Sequence, residues 1–298
     1  MPATAPSRPV TGKAHPPPVT TNQAVLISRA LEVAGRLAND AAEVITATAG
    51  RGADPDTKTS PYDWVTDTDR TLQRHTRRVL SGEFPGVPVL GESYGAPDGF
   101  EPVPLPGVTG GPELLWVVDP VDGTANYLAG LPWCGYSLAL LDADGPLVGV
   151  IADPYQAQIY AAARGRGLRA NGRVVDPSDS RPVGRPSPLS GALICTELGH
   201  PAGWVGMSQL ADNCRDAAVG LRVLGSAALA VTQVALGRAA AAVLYRYEVW
   251  DVAGALALAA EAGSRITSLT AAVDPLPLHG LVVAAPAVAD HVLTLIGC

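Results

Sequence analysis

From Asn22 to Ala49 the apolar residues Val25, Leu26, Ala30, Val33, Leu37, Ala41 and Val44 recur near the helical period of about 3.6, which predicts a long amphipathic helix. A second helix is predicted over Thr68 to Leu80, with Leu72, His75, Thr76 and Val79 on one face and Arg74, Arg77 and Arg78 toward solvent. The spacing Thr66-x-x-Asp69 marks its start, and His75 reads as a residue of the helix surface or core edge rather than a ligand. Short β-rich runs at Val87 to Leu90 and Leu114 to Val118 each lead into acidic residues at a turn. Tyr136 to Leu141 and Leu147 to Ile151 flank the turn DADG, and Gln158 to Ala162 with Gly167 to Ala170 continue what reads as an antiparallel meander.

Beyond the Pro/Ser-rich stretch Pro177 to Pro188 the pattern changes to alternation. Strands are expected at Leu193 to Thr196, Leu221 to Leu224, Ala241 to Tyr245 and Leu281 to Ala284, with helices at Met207 to Asn213, Ala227 to Leu236, Trp250 to Ala262 and Ala287 to Ile296. The chain therefore divides into an α+β half over residues 22–189 and an α/β half over 190–298, preceded by a Pro-rich tail, residues 1–21, that reads as disordered.

Composition narrows the function classes. With 298 residues, 47% hydrophobic content and a formal net charge of −7, the chain can bury a sizeable core but carries no electrostatic footprint for nucleic acid. No window reaches the run of about 18 apolar residues that a membrane span needs, so a soluble, cytoplasmic protein is expected. Cys134, Cys195, Cys214 and Cys298 lie far apart and indicate free thiols rather than a disulfide framework or a zinc site.

The chemistry is carried by acids. Four segments place carboxylates at turns: WVTDTD with Asp67 and Asp69, GES with Glu92, DPVDGT with Asp119 and Asp122, and WD with Asp251. An Asp-Gly pair after a hydrophobic strand is ordinarily just a turn. Two carboxylates three residues apart, with Pro120 stiffening the bend and Gly123-Thr124 following, can instead converge on one point while backbone N–H groups open beside them. That is a cation site next to an anion site. Oxygen-only ligands suit Mg²⁺, Mn²⁺ or Ca²⁺, and Mg²⁺ commonly completes its shell with phosphate oxygens, so a phosphate ester is the expected substrate. Without a divalent cation such acids would repel one another.

DWVTDTD, GES, WVVDPVDGTANY and WDVAGALALAAEAG occur in that order and together resemble the inositol monophosphatase superfamily, from about residue 22 to residue 298. The resemblance implies a layered αβαβα sandwich whose two halves meet at the metals, a homodimer, lithium sensitivity and two or three Mg²⁺ ions. It implies that Glu92, Asp119 and the backbone carbonyl of Val121 hold one ion, that Asp119, Asp122 and Asp251 hold a second, and that a weaker third leans on Glu92. Asp69 and Thr124 resemble the pair that orients and deprotonates the attacking water, with Glu92 assisting. Gly123, Thr124 and Ala125 would offer N–H groups to the phosphate, Asp122, Asp251 and Ala227 would line the substrate, and Lys58 would sit on the active-site loop.

The pattern departs from the family in three places. Ser93 replaces the second acid of GEE, Ala125 replaces a Thr, and Leu244 stands seven residues before Asp251, where inositol phosphatases carry a Glu that binds substrate hydroxyls. Thr196, Glu197 and Glu248 are further candidates for the pocket edge. The expected reaction is Mg²⁺-dependent hydrolysis of a small cyclitol, polyol or sugar phosphate, with inositol 1-phosphate as the default. The alternatives are histidinol phosphate, a nucleoside monophosphate or 3′-phosphoadenosine 5′-phosphate, where Tyr245 and Tyr247 could stack on the alcohol half. A non-catalytic binding member of the family is the remaining alternative.

Overall fold

The computed structural model describes residues 21–51, 56–57, 64–92, 103–177, 189–198, 204, 206–269, 276–277 and 280–297. Helix α1, Thr21–Thr48, buries Ile27, Ala30, Val33, Ala34, Leu37, Ala38, Ala41 and Ile45, one stripe of three- and four-residue steps. Val25, expected on that stripe, is 67% exposed; two residues before Ile27, it points to the far side of the helix. Helix α2, Asp67–Glu83, starts on a reciprocal capping box: Thr66 accepts from the Asp69 N–H while the Asp69 carboxylate accepts from the Thr66 N–H. His75 meets Asp40 of α1 at 2.9 Å on the surface, as a core-edge residue would.

A first sheet has seven strands in sequence order: β3 (Val89–Gly91), β4 (Leu115–Asp122), β5 (Gly135–Asp142), β6 (Gly145–Asp153), β7 (Gln158–Ala163), β8 (Leu168–Ala170) and β9 (Arg173–Val174). The pair β3/β4 is parallel and the rest antiparallel, which is the expected meander. A short helix α3, Thr124–Ala129, leads from β4 toward β5, and a two-stranded ribbon of β1 (Asp56–Thr57) and β2 (Trp64–Val65) precedes α2.

The second sheet runs β11-β10-β12-β14-β13, where β10 is Leu193–Thr196, β11 Gly220–Val223, β12 Ala241–Leu244, β13 Arg265–Ser268 and β14 Leu281–Ala284. Strand β10 is parallel to both neighbours, and β14 is antiparallel to β12 and β13. Its helices are α4 (Met207–Asp216), α5 (Ala227–Ala235), α6 (Val249–Glu261) and α7 (Ala289–Leu295). Strand β13 was not expected, because Arg265, Thr267 and Ser268 give it no apolar run.

Three apolar clusters define five layers, α1/α2, first sheet, α5/α6, second sheet and α4/α7. The fold is thus the αβαβα sandwich of the α/β class. Helix α6 follows β12 in the chain yet packs on the first sheet at backbone distance. A Cβ on Gly149 of β6 would lie 2.2 Å from the Gly254 carbonyl, and one on Gly254 would lie 2.6 Å from Ser137 Oγ of β5. Two glycines therefore set the height at which the start of α6, with Asp251, meets the first sheet.

Gly149→Ala is expected to destabilise the protein by about 1–3 kcal/mol or more through overpacking. Gly35→Ala on α1, where an added Cβ meets nothing within 4 Å, is expected to be neutral or to stabilise by up to about 1 kcal/mol. Urea unfolding midpoints of the two variants decide; equal midpoints would show that α6 can lift off β6 without cost.

Candidate active site

Strand β4 carries the central pair. Side chains three apart on a regular strand face opposite sides of the sheet, so Asp119 and Asp122 should diverge. They do not, because Asp119 pairs with Ser137 and Asp122 with Gly135, three steps on β4 against two on β5. That β-bulge returns both carboxylates to one side and takes up Pro120, whose missing N–H would break the ladder of a regular central strand. The bend expected after Val118 is therefore replaced by a strand that continues to Asp122. Gly123 then turns the chain at φ 88°, and a Cβ there would sit 2.8 Å from both the Gly225 and Trp133 carbonyls.

Asp251 is the third residue of α6, and its Oδ2 accepts the Glu248 N–H at 2.8 Å. One ligand oxygen from each of Asp119, Asp122 and Asp251 lies within 4.8 Å of the others, the one such acidic or His/Cys group among the described residues. Glu92, just past β3, donates its N–H to the Val118 carbonyl at 3.3 Å, and its carboxyl shares a hydrogen bond with that of Asp119. Three acids from two chain segments thus meet at one point, and Glu92, from a third segment, joins them through Asp119.

Burial pushes the Asp119 carboxyl well above the usual carboxylate range, and the neighbouring charges of Glu92, Asp122 and Asp251 push it further. Asp251 is raised well above that range by burial and then by Asp122, against the pull of the Glu248 N–H. Asp122 is raised by burial to about 7, although the Ser226 hydroxyl and the Ala228 N–H, the latter at 3.0 Å, hold its Oδ2 ionised. Burial and mutual repulsion together favour protonation unless a cation binds. The donors are all oxygen, which fits a hard divalent ion and excludes a soft one.

The remaining expected residues divide. Asp69 is fully buried, and its Oδ2 accepts from the Thr66 N–H at 2.9 Å and from the Thr66 hydroxyl. Thr124 donates its hydroxyl proton to the Val121 carbonyl at 3.0 Å. Ala125 is exposed at the start of α3. Ala227 opens α5, where its N–H is a further donor to Asp122. Glu197 is spent on backbone N–H groups of the loop before α5, and Glu248 is exposed just before α6. Lys58 and Ser93 lie outside the described residues.

Three expectations for the pocket edge are corrected. Leu244 is 1% exposed and packs in the core between the sheets, because β12 is covered on both faces. Thr196 is fully buried, its hydroxyl donating to the Val243 carbonyl at 2.6 Å across the sheet. Tyr245 stacks on Trp204 at 4.1 Å and the Tyr247 hydroxyl donates to the Pro277 carbonyl, so both rings already have partners. Ser226 and Ala228 were missed. Ser before an Ala-rich helix signals an N-cap, and Ser226 Oγ does accept the Leu229 N–H at 3.2 Å, but nothing local announces a bond to a carboxylate 104 residues away.

Oxygen-only carboxylates gathered where two sheets meet, in an αβαβα sandwich, define a metal-dependent phosphoric monoester hydrolase. The chain belongs to the inositol monophosphatase family, whose model matches residues 27–296. It is 34% identical over 240 residues to the inositol-1-monophosphatase SuhB of Mycobacterium tuberculosis, covering 79% of this chain and 79% of that one. It is 33% identical over 224 residues to the histidinol-phosphatase of the same organism, covering 72% and 77%. The fold is shared with a solved IMPase/NADP phosphatase complexed with Mg²⁺ and phosphate, at TM-score 0.73 and 22% identity over 92% of this chain and 97% of that one.

Asp122 has its folded pKa raised from the ordinary 3.8 to about 7. Its contribution to stability is therefore full below about pH 4 and is lost as pH rises through 7, on the order of a few kcal/mol. Metal-free protein is expected to melt at a lower temperature at pH 8 than at pH 5.5. The gain on adding Mg²⁺ should be larger at pH 8, where protons no longer compete for the carboxylates. Thermal melts with EDTA and with Mg²⁺ at the two pH values check this; a metal-free protein more stable at pH 8 contradicts it.

Proposed function

We propose that this protein hydrolyses a small phosphate monoester of a cyclitol, polyol or sugar, with inositol 1-phosphate as the reference substrate, using Mg²⁺ at the Asp119, Asp122 and Asp251 centre. The observation that carries the reading is the approach of those three carboxylates to within 4.8 Å of one another. Glu92, Asp119 and the Val121 carbonyl would hold one ion, Asp119, Asp122 and Asp251 a second, and Glu92 would support a third. Bound there, Mg²⁺ supplies Lewis acidity toward the phosphate and toward water.

The chain's own groups do the rest. Asp69 and Thr124 orient the attacking water, after the Thr124 hydroxyl turns from the Val121 carbonyl, and Asp69 accepts its proton. The new bond runs from water oxygen to phosphorus while the bond to the alcohol oxygen breaks in line, and the departing alcohol oxygen takes up a proton from solvent. The N–H groups of Gly123, Thr124 and Ala125 face the phosphate.

A second reading, histidinol phosphate as substrate, is favoured by Leu244, which leaves no carboxylate at that position to accept cyclitol hydroxyls. Glu248, exposed just before α6, would then be the acid nearest the alcohol half. We further place the protein in the cytoplasm as a homodimer. Buried free thiols at Cys134, Cys195 and Cys214 support the first, and Val223, 45% exposed on the edge strand β11, with Leu193, 36% exposed on the neighbouring β10, supports the second. Among the described residues, no helix is long and apolar enough to cross a membrane.

Phosphate release from inositol 1-phosphate, histidinol phosphate, AMP and 3′-phosphoadenosine 5′-phosphate, each with Mg²⁺ and with EDTA, tests the proposal. The cyclitol ester should be turned over fastest and EDTA should stop every reaction. A preference for histidinol phosphate selects the second reading, and no release from any of them points to a binding protein. Asp119→Asn is expected to lower kcat by several kcal/mol, roughly 10³-fold, because one carboxylate serves two ions. Wild-type turnover in that variant would defeat the site assignment.

A further inference from the structure

We infer that Glu197 and Asn126 are positioning residues for the metal centre, clamping the turn Leu224–Ser226 from opposite sides so that Asp122 is held in its ligating orientation. The inference rests on the reading of Asp119, Asp122 and Asp251 as a cation site.

Glu197 follows the last residue of β10, and both of its oxygens are committed to the turn. Oε1 accepts the Leu224 N–H at 3.3 Å and Oε2 the Gly225 N–H at 2.8 Å. From the other side, Asn126 Nδ2 of α3 donates to the Leu224 carbonyl at 2.8 Å and to the Trp133 carbonyl at 2.8 Å. One turn is thereby tied to the second sheet through its N–H groups and to the first sheet through its carbonyl.

The turn has no lateral freedom. Gly225 has φ 77°, and a Cβ on it would lie 2.7 Å from Asn126 Nδ2; a Cβ on Gly123 would lie 2.8 Å from the Gly225 carbonyl. The next residue, Ser226, gives its hydroxyl to Asp122 Oδ2, and the Ala228 N–H donates to the same oxygen at 3.0 Å. Asp122 Oδ2 is therefore fixed by donors that stand or fall with the turn, and with it the orientation of the whole carboxylate. A residue that touches neither metal nor substrate sets the direction of a ligand in this way, and partners of that kind typically alter metal affinity about 10–100-fold when removed.

A glutamine at 197 keeps the shape but offers one acceptor oxygen in place of two, and its NH₂ would face a backbone N–H. Glu197→Gln also removes a charge, which could weaken cation binding by itself. Asn126→Ala separates the effects, since it frees the same turn without changing charge. Mn²⁺ binding to metal-free protein, read by titration calorimetry and by the loss of the free-ion EPR signal, is the measurement.

Glu197→Gln is expected to bind Mn²⁺ about 10–100-fold more weakly and Asn126→Ala about tenfold more weakly. Glu197→Asp, with both oxygens on a shorter stem, should recover part of the loss. Saturating Mg²⁺ should restore most of kcat in every variant. Wild-type affinity in both Glu197→Gln and Asn126→Ala overturns the inference, as does weakening by Glu197→Gln alone, which would make the effect one of charge. If Glu197→Gln does not fold, Asn126→Ala and Glu197→Asp decide by the same criterion. Failure of the wild-type protein to bind Mn²⁺ would instead remove the cation site on which the inference stands.

Discussion

Carboxylates held within 4.8 Å of one another in a buried junction repel, and the surrounding structure is what prevents them from separating. Asp119 and Asp122 are on one strand and are kept on one side of it by a bulge. Asp251 arrives on a helix from a different part of the chain, at a height set by backbone contact between Gly149 and Gly254. Each acid is rigidly mounted, so relief comes from protons or from a divalent cation, not from movement. The same arrangement makes the site an acceptor for cations and ties its occupancy to pH.

The two sheets are joined at this point by more than packing. The turn before α5 takes donors and acceptors from both sheets and passes its constraint to Asp122 through Ser226 and Ala228. Helices α5 and α6 lie between the sheets as mostly Ala and Leu, and the small side chains let both sheets approach closely. Geometry at the metal centre is thus a property of how the halves meet, which neither half could supply alone.

Much of this was legible in the chain. The periodicity of α1, the Thr66/Asp69 start of α2, the meander and the alternation beyond residue 190 all announce themselves locally, as do the acidic motifs. The bulge does not: a period of two places Asp119 and Asp122 on opposite faces, and only pairing with β5 reveals the extra residue. The direction of Leu244 was equally hidden, since β12 is buried on both faces and an all-apolar strand carries no alternation to orient it. Strand β13 escaped because pairing with β14, not its own polar sequence, makes it a strand. The donors to Asp122 escaped because they lie more than a hundred residues from it.

Leu244, by contrast, is buried in the core between the sheets and adds no polar group beside these acids. The central claim is that the meeting of Asp119, Asp122 and Asp251 is a divalent-cation site. Crystals grown with Mn²⁺ and measured at the manganese absorption edge test it most directly. The account predicts an anomalous peak in contact with oxygens of all three residues; manganese density elsewhere with none between these carboxylates would contradict it.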